Sequence, residues 1–180
     1  MNAQQKLKFV AEQLGIDTLT AGQGTTRNVY HELANPAAAN SSLNFFQNVG
    51  QAAAFRRNIS ENRFQVNEAL LIESISVYQK LADGTISPIV GMAVADLVIG
   101  NQTVLKDVPL TEIVTQGNTA KGAENAVFYL APLVGIVIPP QVEFSIRINF
   151  ELAQGTAETV PFIGCELYGT GALLNLKTSL

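Results

Sequence analysis

Tryptophan is absent, cysteine and histidine occur once each, and charged residues make up only 14% of the 180 positions. Each scarcity removes a class of protein. With Cys165 alone, an intrachain disulfide framework or a CxxC metal or redox motif is impossible. With His31 alone, any Ser-His-Asp or Cys-His device must use that residue. A β-barrel metal site built from several histidines is excluded. His31 lies in a stretch without the look of a rigid platform, so its expected role is a polar surface contact. Cys165 sits in the strand-like run PFIGCELYG and reads as a buried, inert thiol. Phosphate-cradling GxxxxGK[ST] and GxGxxG patterns are missing. No cofactor is expected.

Long apolar runs are missing too. None reaches the roughly 18 residues of a membrane span, and the longest, AVFYLAPLVGIVIPP at 126–140, is broken by Pro132 and Gly135. The first apolar residues stand among Gln and Lys and form no leader-like segment, so synthesis in the cytoplasm is expected. Three Asn-x-Ser/Thr sequons, at Asn40, Asn58 and Asn101, then carry no glycan. The carboxylates are scattered. Glu143 and Glu151 lie eight residues apart, too far along one strand for an acid pair.

Apolar residues are present at an ordinary 47% and mean hydropathy is +0.21. About a quarter of residues are charged in a typical soluble domain. Low charge with positive hydropathy fits a chain that buries surface against other subunits. The charge divides unevenly. Residues 1–63 carry six Lys/Arg against four acids, whereas residues 64–180 carry five against eleven. A body this acidic, behind a segment of net charge only +2, argues against direct nucleic-acid binding.

Residues 2–14 place Ala3, Leu7, Val10, Ala11 and Leu14 on one helical face, with Gly15 as the stop. Residues 15–63 are rich in Thr, Gly, Asn and Gln and show no sustained period. They nevertheless carry Tyr30, Phe45, Phe46 and Phe55, which a disordered tail would lack. The reading is an extended arm anchored by its aromatics, or a peripheral strand or two. From residue 64 onward the text is strands and turns. Candidate strands cover 64–80, 86–99, 102–108, 111–116, 126–131, 133–138, 141–152, 160–168 and 172–176. Gly100-Asn101 marks a two-residue hairpin, and Gly169-Thr170-Gly171 reads as a turn. Residues 67–84 could form a helix ending at Gly84, but their β-branched content favours a strand with a bulge near Leu71-Ile72. The clearest strand is in IPPQVEFSIRINFELA, where Val142, Phe144, Ile146, Ile148 and Phe150 alternate with Glu143, Ser145, Arg147, Asn149 and Glu151. The first set belongs to a core wall, and Arg147 does not.

These elements define an all-β sandwich of about eight strands over 64–180, preceded by a helix-bearing arm over 1–63. The segment LNFFQNVGQAAAFRRNISENRFQVNEALLIESISVY (43–78) leads from paired aromatics into a long strand. IPPQVEFSIRINFEL (138–152) then precedes the closing run FIGCELYGTGALLNL (162–176). This order resembles the jelly-roll structural proteins of icosahedral bacteriophage particles, both coat and auxiliary shell proteins. The resemblance covers about residues 43–176. It implies a non-enzymatic role in a virion, with homo-oligomer and other capsid-protein partners. Phe45, Phe46, Phe55, Arg56 and Arg57 are the candidate intersubunit contacts of the arm. A receptor- or glycan-binding module of a particle fibre is the alternative, although the shortage of aromatics limits stacking platforms for sugars.

Overall fold

The structure, a computed structural model, describes residues 2–16, 23–110, 126–129 (backbone only) and 135–174. It opens with helix α1 (Ala3–Gln13). Asn2 caps the first turn by accepting from the Gln5 backbone while the Gln5 side chain accepts from the Asn2 N–H, a reciprocal capping box. At the other end Gly15 is left-handed, with φ of 65°. The Ile16 N–H reaches the Ala11 carbonyl, and the Gly15 N–H that of Glu12. That pair of bonds is a Schellman stop, and it explains why glycine ends the helix.

The strands are β1 (Gln23–Ala34), β2 (Ser41–Phe45), β3 (Glu68–Lys80), β4 (Ile86–Pro88), β5 (Ala93–Ile99), β6 (Gln102–Leu110), β7 (Ala126–Tyr129), β8 (Ile136–Ile138), β9 (Phe144–Phe150) and β10 (Phe162–Leu173). They form two antiparallel sheets. The six-stranded sheet runs β1-β10-β3, and β4, β7 and β8 share the far edge of β3. The four-stranded sheet runs β2-β9-β5-β6. The long-range pairing is nested: β1 with β10, β2 with β9, β3 with β8 and β5 with β6. Between the sheets lies one core. Val29, Ile75, Val77, Ile163, Cys165 and Leu167 come from the first sheet, and Phe45, Ala95, Leu97, Phe144, Ile146, Ile148 and Phe150 from the second. The all-β sandwich expected from the sequence is what the chain forms.

Several expectations hold in detail. Residues 68–80 are strand, and their bulge falls at Glu73, opposite Tyr168 and Gly169. A side chain at Gly169 would collide with the Leu71 carbonyl, so glycine is required at this close approach. β9 alternates as its sequence does: Phe144, Ile146 and Ile148 are buried and Arg147 is exposed. Gly100-Asn101 joins β5 and β6 as a two-residue hairpin.

Others are corrected. The run 86–99 is two strands in different sheets, divided at Gly91 with φ of 74°. Gly169-Thr170-Gly171 is no turn but part of β10, which runs unbroken from 162 to 173. The largest correction concerns residues 23–63. They are no extended arm, and the sandwich has no boundary at residue 63. β1 pairs residue for residue with β10 along its whole length, and β2 pairs with β9. The expected strand at 111–116 lies outside the described residues.

Candidate functional site

The segment between β2 and β3 was expected to provide intersubunit contacts, and the structure distributes its residues differently. Phe45 and Phe46 are fully buried in the chain's own core. They are consecutive, so a regular strand would send one of them outward. Phe46 avoids this by taking a left-handed backbone, with φ of 63°. Its ring lies 5.3 Å from that of Phe144, which in turn stacks on Phe64 at 5.5 Å. Neither Phe45 nor Phe46 is available to a neighbour.

His31 holds this turn in place. It is 1% exposed, and its Nδ1 accepts the Phe46 backbone N–H at 3.0 Å. The expected surface contact is therefore a core contact. Desolvation, and then the nearby Arg57 charge, lower its pKa, so the ring is neutral. With Nδ1 accepting, the proton resides on Nε2, which is buried and has no partner among the described residues.

Arg57 is spent on the loop itself, donating to the Ala52 and Ile59 carbonyls at 2.9 and 2.8 Å. Beside it, Asn58 completes the edge of β1. Its amide accepts from Tyr30 N–H and donates to the Asn28 carbonyl, both at 2.8 Å, as a neighbouring strand would. Arg56 lies over the Phe162 ring and 3.6 Å from Glu32. Glu32 is nearly buried and is already bound by Lys80 at 2.8 and 3.0 Å and by the Tyr78 hydroxyl at 3.3 Å. Burial, with the Glu32 charge second, holds the Tyr78 phenol well above its usual range. Burial does the same to the Cys165 thiol. Arg56 and Arg57 thus have partners within their own chain. Of the five expected contact residues, only Phe55 is open, at 68% exposure.

Two other surfaces lie open. The outer face of the four-stranded sheet carries Ser42, Asn44, Ser145, Arg147 and Asn149, with Arg147 bonded to Asp96 at 2.6 and 3.0 Å. At one end of this sheet, Val90, Met92 and Leu152 are all close to half exposed. Glu151 N–H bonds the Met92 carbonyl, and the Gln154 amide ties Val90 to Leu152. The Leu152 side chain lies over Gly91, the residue between Val90 and Met92, so the three exposed apolar residues stand near one another. The sequence pattern did not single them out, because Val90 and Met92 stand within a run that reads as a continuous strand. Among the described residues, no helix is long and apolar enough to cross a membrane. No protein-family model matches the chain, and neither the curated proteins nor the solved structures contain a match.

Proposed function

We propose that this chain is a virion structural protein, a jelly roll that builds or reinforces an icosahedral shell through contacts with copies of itself and with other capsid proteins. The observation that carries the reading is the nested pairing of β1 with β10, β2 with β9, β3 with β8 and β5 with β6. A ribbon of four nested antiparallel pairs, rolled so that alternate pairs fall in opposite sheets, is the plan of a jelly roll. Shell proteins, lectins and cupins share that plan. Cupin chemistry calls for several histidines, and this chain has one. Low charge and the resemblance of segments 43–78 and 138–176 to phage shell proteins favour the shell role.

The geometry moves the contact surface away from Phe45 and Phe46. The Val90, Met92 and Leu152 patch and the bare face of the four-stranded sheet are the surfaces for subunit contact, with exposed Phe55 beside them in kind. Sedimentation across a concentration series, followed by negative-stain imaging, tests this. Association into defined oligomers or particles is expected, and the Met92→Lys, Leu152→Lys double variant should shift it toward monomer while keeping its circular dichroism. A parent chain that stays monomeric at every concentration and forms no ordered particle would overturn the assembly reading.

A further inference from the structure

A cleft of about 450 Å³ opens between the end of β1, the end of β2 and the loop that follows. It exists because the chain leaves the four-stranded sheet at the left-handed Phe46 and then crosses to the edge of β1. His31, Asn44, Gln47, Gln51 and Arg56 line it. Its walls are mixed, with Leu33, Ala34, Ala52 and Phe162 standing among the polar residues. Phe162, the aromatic ring among them, is already covered by the Arg56 guanidinium.

The polar part of this lining offers donors from Arg56 and the amides, and acceptors from the amide oxygens and the Glu32 carboxylate. The His31 Nε2 is buried behind this wall, and no described residue accepts its proton. A buried donor without a protein acceptor is rare in native proteins. The side-chain amides of Asn44, Gln47 and Gln51 bond to no described residue. Arg56 uses one of its five N–H groups, and only at 3.6 Å. The carboxylate it faces, Glu32, is neutralised by Lys80. Glu32, Lys80 and Arg56 together carry one net positive charge beside these amides.

We propose that this cleft binds an acidic sugar: a monosaccharide-sized ligand whose carboxylate meets Arg56 and whose hydroxyls meet the amides in front of His31. The volume lies within the range of small-molecule sites. Planar guanidinium groups suit carboxylates, and side-chain amides can both give and accept bonds to hydroxyls. An apolar ligand would leave all of these donors unpaired, which disfavours it. The site lies within one subunit and does not rest on the shell reading.

His31 is the chain's single histidine, so its imidazole nitrogens give an unambiguous NMR signal in the full-length protein. The spectrum should show a neutral ring protonated at Nε2. Titration with N-acetylneuraminic acid should move the Nε2 resonance saturably, and neutral N-acetylglucosamine should move it much less. The Gln47→Ala, Gln51→Ala double variant changes only exposed side chains, and it should bind about tenfold more weakly. The site is overturned if the acidic sugar leaves the Nε2 signal unmoved at saturating concentration, or if the double variant binds as well as the parent. An equal response to the neutral sugar overturns the acidic class, because Arg56 would then contribute nothing to recognition.

Discussion

β3 and β9 wall the same core from opposite sides, yet their burial differs. In β9 the inward Phe144, Ile146, Ile148 and Phe150 are buried, while Ser145, Arg147 and Asn149 keep some contact with solvent. In β3 the inward Leu70, Ile72, Ile75 and Val77 are buried, and so are Ala69, Leu71 and Tyr78 on the other face. The cause is α1. It lies on the outer face of the six-stranded sheet and packs Leu7, Phe9, Val10 and Leu14 against Ala69, Leu71, Ala172 and Leu174. Lys6 anchors it to Glu73 at 2.6 Å. One sheet is thus closed on its inner face and partly covered on its outer face, and the other is closed on its inner face only. The closed sheet contributes stability. The open sheet is where polar alternation and bare surface leave room for contacts with other molecules.

Truncation tests this division most severely. Removing residues 2–16 should leave a cooperative but less stable fold, because it uncovers only the outer apolar face of β3 and β10. Removing residues 2–34 takes away β1 as well, together with twelve register pairs along β10. No cooperative unfolding transition should survive that change. Thermal melts followed by circular dichroism separate the two outcomes. A sandwich that melts normally without β1 would restore the view of residues 1–63 as an arm.

The second test sets the core against the open face. Phe144 contacts both Phe46 and Phe64. Phe144→Ala should cost about 3–5 kcal/mol in urea unfolding, as aromatic truncation in a core does. A loss below about 1 kcal/mol would show that the sheets do not close on this ring.

The division between the sheets was only partly legible in the sequence. β9 could be read residue by residue because a strand with one wet face alternates with period two. β3 was harder. A strand buried on both faces has no alternation to show, and the slip at Glu73 imitates a lost period. Its β-branched residues still favoured a strand. β1 and β2 were legible only as an alternative, a peripheral strand or two without bounds, for a different reason. The inward positions of β1 after Val29 include His31, which breaks the apolar pattern, and its first four residues are Gln, Gly and Thr. The pair Phe45-Phe46 violates parity because the backbone turns at the second ring. That turn depends on a hydrogen bond to His31, fifteen residues away in sequence. No local rule anticipates it. The cleft was invisible for the same reason, since its lining comes from segments brought together only by the pairing of β1 with β10 and of β2 with β9.

The smallest effect, and the sharpest probe of the open face, is expected at Asp96. This carboxylate is nearly buried, although it belongs to the outer row of the sheet. It accepts the Asp107 backbone N–H at 2.7 Å, at the point where β6 departs from regular pairing and Asp107 takes φ of 49°. That bond, more than the neighbouring Arg147, holds its pKa below the ordinary aspartate value. A carboxyl whose pKa is lower in the folded state holds fewer protons there than in the unfolded chain. Its contribution to stability is complete above the unfolded value of about 3.9. It is lost as pH falls through the lower, folded value. Arg147→Ala should cost less than about 1 kcal/mol at neutral pH, because Arg147 is largely exposed and its ion pair is screened. Asp96→Asn should cost about 1–2 kcal/mol, since the bond to Asp107 is charge-assisted and sheltered. Urea midpoints measured from pH 7 down to pH 2.5 would show the difference between parent and Asp96→Asn shrinking in the acid range. Other carboxylates titrate equally in both proteins and cancel. If the two curves stay parallel throughout, Asp96 does not pin the β6 irregularity, and the open sheet holds its shape by pairing alone.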